Sequence, residues 1–214
     1  MIEKCVLTFK NIIFQHIGSK LKLGSLKFVI NISFVFFEKI AYKFPKISSI
    51  YLDMYEKIVE KELSMINPSK EDSILVIGSG TLPATPIIIV RKTNAKITAI
   101  DIDENAVKDA RKYIKNLNLE ENIKVVNGNG VNFSLIDFDI IFVLYGMRQQ
   151  KEMIDHLSKN ITQSTKVILR TILKEGKAII DDVYLDLSEY FVIDKHVQSQ
   201  CFGIVDSILL EKKQ

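Results

Sequence analysis

The stretch LVIGSGTLPATPIII, residues 75–89, runs from an apolar, β-branched segment into two glycines and then two prolines. Gly78 and Gly80 permit a tight turn and let a ligand approach the backbone closely. Ser79 and Thr81 put hydroxyls beside them. About 20 residues further on, Asp101 ends the next apolar run, where a carboxylate can accept hydrogen bonds from both hydroxyls of a ribose; Ile102 follows it. A dinucleotide would want a third glycine and a helix start open to pyrophosphate. Leu82, Pro83 and Pro86 crowd that place instead, and proline removes N–H donors an anion would use. The pattern suits a nucleoside without pyrophosphate, and S-adenosylmethionine meets that description. The bland alternative is a plain strand-to-helix turn, since a lone GxG is weak evidence.

Other residues carry less. Asp103, two before Asn105, reads as a helix cap. NGNG places Asn129 and Gly130 where an amide can read an adenine edge, although Asn-Gly pairs form turns anywhere. Tyr55 and Glu62 lie two helical turns apart and so share one face. Glu56, Glu60, Lys57 and Lys61 interleave with them, and a charged helix face is ordinarily just solvated. Arg170 sits inside VILRT, and an arginine among strand apolars usually has a carboxylate partner. His16, His156 and His196 share no metal-ligand spacing, and Cys5 and Cys201 make no CxxC. No metal site or disulfide is expected, and a reducing, cytoplasmic setting is the default.

These groups need a scaffold. From residue 74 onward short β-branched runs alternate with amphipathic stretches: 74–78, 96–101, 123–128, 138–146 and 166–171 as strands, with helices after Pro83, at ENAVKDARKYIKNL and at QKEMIDHLSKN. Strands separated by helices of this length predict a parallel sheet covered on both faces. YFVIDKHVQ and VDSILLEKK follow one another without a helix and predict an antiparallel edge pair. Residues 1–66 show helical periodicity, and NPSKEDS (67–73) marks the boundary. The expectation is a helical N-terminal substrate or cap region, 1–66, ahead of an α/β Rossmann-like domain, 67–214.

With 47% apolar residues and a net charge of +3, the 214-residue chain reads as an ordinary globular protein whose scattered lysines argue against nucleic acid. The apolar stretch 26–44 holds Asn31 and Ser33, and its unbroken part is about half the roughly 20 residues a spanning helix needs. It reads as a buried or partner-facing helix, with no transmembrane segment or signal peptide expected.

VIGSGTLPATPIII resembles the G-S-G-x-L-P-x-T motif of nicotianamine synthases, and the likeness continues in order. AIDIDENAV is similar to that family's Y-D-I-D-x-x-A-N segment, and FDIIFVLYGMRQQKEMIDHL to its strand ending in G-M. KVILRT and HVQSQCFGIVDSILLEK resemble its last strands, and YLDMYEKIVEKEL resembles its N-Y-x-K-L-x-x-x-E helix. Class I methyltransferases carry an acidic residue two positions before the first glycine; here Val76 stands there.

The resemblance implies the class I S-adenosylmethionine-dependent transferase fold. It also implies S-adenosylmethionine as donor, transfer of a 3-amino-3-carboxypropyl group to a small amine or amino acid, and metallophore-type products. It implies Glu62 as proton acceptor or amine-positioning group, Tyr55 as a pocket wall, and Tyr145 facing the sulfonium. Gly146 joins the cofactor set, and Tyr51, Met147 and Arg148 the acceptor side. A methyltransferase of a small molecule stays open, as does a noncatalytic nucleoside-binding or interaction protein. A homodimer is a further candidate.

Overall fold

The computed structural model describes residues 37–147, 149–198 and 205–213. Arg148, Cys5, Cys201, His16 and most of the apolar stretch 26–44 lie outside them.

Residues 37–43 are helical, and Pro45 at the first turn of helix α1 (Pro45–Ile66) fixes a fresh start. Ser48 Oγ donates to the Ala41 carbonyl at 2.7 Å, tying the two helical segments together. Helix α1 ends at Asn67, which adopts the left-handed conformation at φ 47° that asparagine tolerates. Then come β1 (Ser73–Ile77), α2 (Ala84–Thr93), β2 (Lys96–Asp101), α3 (Glu104–Asn116), β3 (Ile123–Asn127), β4 (Ile140–Val143), α4 (Gln150–Asn160) and β5 (Lys166–Thr171). Asp103 caps α3, accepting from the Asn105 and Ala106 amides.

A small sheet of β6 (Leu173–Lys174), β7 (Lys177–Ile180) and β8 (Val183–Leu185) follows, with no counterpart in the sequence reading. Strands β9 (Phe191–Gln198) and β10 (Asp206–Lys212) complete the main sheet. Its order is β3-β2-β1-β4-β5-β10-β9. The first five strands are parallel, and β10 runs antiparallel to both β5 and β9. Of the last two strands, β9 forms one edge of the sheet and β10 is interior. Strand β4 is shorter than the predicted 138–146, because the chain leaves the sheet into a turn at Tyr145 and Gly146.

Alternation along the strands divides the core into two layers. Ile74, Val76, Ile140 and Phe142 face α1, α2 and α3. Leu75, Ile77, Ile141 and Val143 face α4 and the small sheet. Helix α1 shares the first layer through Ile58, Val59 and Ile66, so it packs as part of the sheet's own core. No helix among the described residues is long and apolar enough to cross a membrane.

Val76 is fully buried in that layer. Val76→Asp therefore places an unpaired carboxylate among aliphatic groups, with an expected loss of at least about 3 kcal/mol. Denaturant unfolding monitored by circular dichroism measures it.

Candidate active site

In a parallel sheet the carboxyl ends of the strands open a crevice where the strand order reverses. Here the reversal falls between β1 and β4, and a cavity of about 590 Å³ opens there. Its walls include Gly78, Ser79, Gly80, Thr81, Asp101, Ile102, Asn129, Gly130, Tyr145, Gly146, Met147, Tyr51 and Tyr55. Glu62 does not line it.

The glycine elbow is held by the carboxylate at the end of β2. The Gly80 amide donates to Asp101 Oδ2 at 2.8 Å, and the Asp103 amide to Oδ1 at 3.0 Å. Each oxygen keeps a second lone-pair direction for a hydroxyl donor. Gly80 sits at φ 69°, a left-handed conformation that disfavours any side chain, and a Cβ there would also collide with the Glu38 carboxyl group. Beside Asp101, Ile102 is 62% exposed although large and apolar, which leaves a hydrophobic face at the cavity rim that suits a flat ring. Asn129 accepts from the Val131 amide at 3.2 Å and donates to Gln149 Oε1 at 3.4 Å.

Ser79 Oγ and Thr85 Oγ1 are buried without a hydrogen-bond partner, and both residues line the cavity. Buried hydroxyls normally find partners, and these two can offer theirs to a polar group bound in the cavity. A nucleoside with a short polar arm fits this combination of ribose-facing carboxylate, apolar rim and open hydroxyls.

Glu38 is the wall residue the sequence reading missed. It comes from the helical segment 37–43, and the Leu82 amide donates to its Oε1 at 2.8 Å. Burial pushes its carboxyl up to about 7; the Leu82 and Thr81 amides pull it partly back, and the charge of Asp101 adds to the rise. The signal was a lone carboxylate within an otherwise apolar helix-length run.

The other side of the cavity is built on α1 and β5. Glu56 and Glu60 reach out to Lys92 of α2, as a solvated face does. Glu62 turns inward and is fully buried. Arg170 donates through Nε and Nη2 to its two oxygens at 2.6 and 2.7 Å, and Ser207 Oγ donates to Oε1 at 2.6 Å. Thus Glu62 is the carboxylate partner that Arg170 requires. Burial works against the guanidinium's charge, but the attraction and hydrogen bonds of Glu62 hold it above its ordinary range. The Arg170 guanidinium carbon lies 5.7 Å from the Tyr55 ring centre, and the Tyr51 and Tyr55 rings are 4.8 Å apart. Burial raises both phenols, and it pushes Tyr145 up to about 12 with help from Asp182. All three therefore stay protonated at neutral pH.

The chain matches the family described as nicotianamine synthase protein over residues 43–214. An L-histidine 2-aminobutanoyltransferase from Yersinia pestis is 26% identical over 165 residues, covering 75% of this chain and 60% of that protein. A ribosomal RNA small subunit methyltransferase A from Wigglesworthia glossinidia brevipalpis is 35% identical over 83 residues, 39% of this chain and 30% of that protein. Among solved structures, a glutamate-to-glutamine variant of MtNAS in complex with S-adenosylmethionine superposes with a TM-score of 0.70 at 16% identity, covering 89% of this chain and 74% of that one. The chain spans about three fifths of the histidine-transferase relative's length. It belongs to the nicotianamine synthase family.

Glu38 makes stability depend on pH. Its carboxyl moves from 4.5 to about 7 on folding, so the buried acid is fully accommodated below pH 4.5 and its contribution is lost as pH rises through 7. Relative to Glu38→Gln, the wild type is expected to lose about 3 kcal/mol across that window. Urea unfolding of both proteins at a series of pH values checks it.

Proposed function

We propose that this chain transfers the 3-amino-3-carboxypropyl group of S-adenosylmethionine to a small amine and releases methylthioadenosine. The observation that carries the reading is the Glu38 carboxyl, poised near neutrality in the cavity wall beside the Asp101 carboxylate. Methyl donors and aminocarboxypropyl donors share one molecule, and the carbon that reacts is the one held in line with its bond to sulfur. Val76 offers no carboxylate to the methionine arm, whereas Glu38 reaches the elbow from outside the sheet.

In this reading Asp101 grips the ribose, Ile102 covers the base, and Asn129 reads its edge. Ser79 and Thr85 meet the polar groups of the arm. The acceptor's neutral nitrogen attacks the γ-carbon, the carbon–sulfur bond breaks with its electron pair going to sulfur, and the positive charge passes to nitrogen. Glu38 takes the proton that the nitrogen must shed, a task for which a pKa near the working pH is best suited. Glu62, expected as proton acceptor or amine-positioning group, takes a different part in this reading: with both oxygens already accepting short hydrogen bonds, it positions Arg170 and, through it, Tyr55. Tyr145 and Met147 close the wall over the reacting centre.

The family membership and the name of the Yersinia relative support an amino-acid acceptor. A product bearing amines and carboxylates on three-carbon arms forms chelate rings with metal ions, which supports a metallophore-type role in the cytoplasm.

Incubating the protein with S-adenosylmethionine and amino acids should yield methylthioadenosine by mass spectrometry; S-adenosylhomocysteine in its place identifies methyl transfer and overturns the assignment. Glu38→Gln should lower kcat by roughly 10²- to 10⁴-fold, while calorimetry shows donor affinity changed little. In the wild type, kcat/KM should rise with pH through a limb near 7 that the variant lacks.

A further inference from the structure

The Glu62–Arg170 pair is asymmetric toward the cavity. Arg170 lines it and Glu62 does not. The carboxylate is fully buried, and Ser207 also holds it, whereas Arg170 contributes to the cavity wall. A guanidinium has five N–H donors in a planar fork. Glu62 engages Nε and Nη2, so Nη1 is left on the side that Glu62 does not occupy. The Tyr55 ring stacks near the same guanidinium, and Arg170 is only 4% exposed. A cation fixed in this way binds an anion without first losing side-chain freedom. A buried ion pair is often no more stable than apolar packing of the same volume, so stability alone does not account for this one.

The sheet order says which ligand. Asp101 ends β2 and Arg170 lies on β5, with β1 and β4 between them. Neighbouring strands are about 4.8 Å apart, so the two residues stand roughly 14 Å apart across the sheet. A nucleoside gripped at β2 puts its sulfur over the elbow after β1. A four-carbon arm from there reaches about one strand spacing, roughly 5 Å, which ends it near β4. A carboxylate at Arg170 therefore belongs to the second substrate.

Taking the amino-acid acceptor of the proposed function as given, we propose that Arg170 is the residue that receives its carboxylate, with Glu62 and Ser207 as positioning residues, so that the acceptor's amine faces the donor carbon. This rests on the transferase reading above. It assigns Arg170 a specificity role: the wild type accepts an amino acid and rejects the corresponding carboxamide and decarboxylated amine.

The test uses the full chain. Calorimetry with S-adenosylmethionine and detection of methylthioadenosine come first, because failure there removes the transferase reading itself. The amino acid turned over fastest among the twenty standard ones is then compared with its carboxamide and decarboxylated amine. The wild type should prefer the carboxylate by roughly 10- to 100-fold in kcat/KM. Arg170→Lys keeps a charge opposite Glu62 but loses the fork; it should raise the acceptor KM about tenfold or more and cut the preference to a few-fold, with donor affinity unchanged. Ser207→Ala should raise the acceptor KM less and leave the preference in place. Equal turnover of acid and carboxamide by the wild type overturns the proposal even if Arg170→Lys fails to fold. So does donor binding with no turnover of any amino acid, or an Arg170→Lys protein that loses donor affinity and keeps its acceptor preference.

Discussion

A guanidinium taken out of water must be paired, and the pairing of Arg170 organises one side of the cavity. Its partner comes from α1, more than a hundred residues earlier in the chain, and the serine that shares that partner comes from β10. One carboxylate thus joins the N-terminal helix, the fifth strand and the interior antiparallel strand. Removing either charge leaves the other buried and unpaired, the costly way to break such a pair. The same contact fixes Tyr55 against the guanidinium and Tyr51 behind Tyr55. This wall of the cavity is therefore set by electrostatic necessity as much as by packing.

The opposite wall follows a different logic. The elbow between β1 and α2 uses glycine to bring backbone amides close to two carboxylates, Asp101 from the sheet and Glu38 from the preceding helical segment. Both accept backbone amides, and burial together with the neighbouring Asp101 charge raises the Glu38 carboxyl. Their surroundings push the two groups toward different work: one suits hydroxyl recognition, the other proton exchange near neutrality. The prolines after the elbow start the helix without opening a phosphate site, in keeping with a nucleoside ligand.

Much of this was legible in the residues. The β-branched runs at 74–77, 96–101 and 166–171 and the helix 150–160 could be read because each combines a strong period with clear end signals. The small sheet was not legible, since its strands are two to four residues long and too short to show a period. Its hairpin turns did carry a signal: Glu175-Gly176 and Asp181-Asp182 take the positive φ that tight hairpins need. At the site, Glu62 was masked by the charged residues around it, yet its place between Val59 and Leu63 on the buried face is helical spacing. Glu38 could not be ranked at all, because the reason it matters is the elbow it touches, forty residues away in the chain.

Strand β10 has a consequence for how the molecule comes into being. It lies between β5 and β9, and its residues 206–210 pair with residues 167–171 along one side of β5. During synthesis the parallel half can assemble as it emerges, but β5 presents an unpaired edge until the last strand arrives. Ser207 of that strand also holds Glu62 of helix α1, so the same strand seats the helix against the sheet. The pairing of β5 and the seating of α1 thus rest on one seven-residue strand.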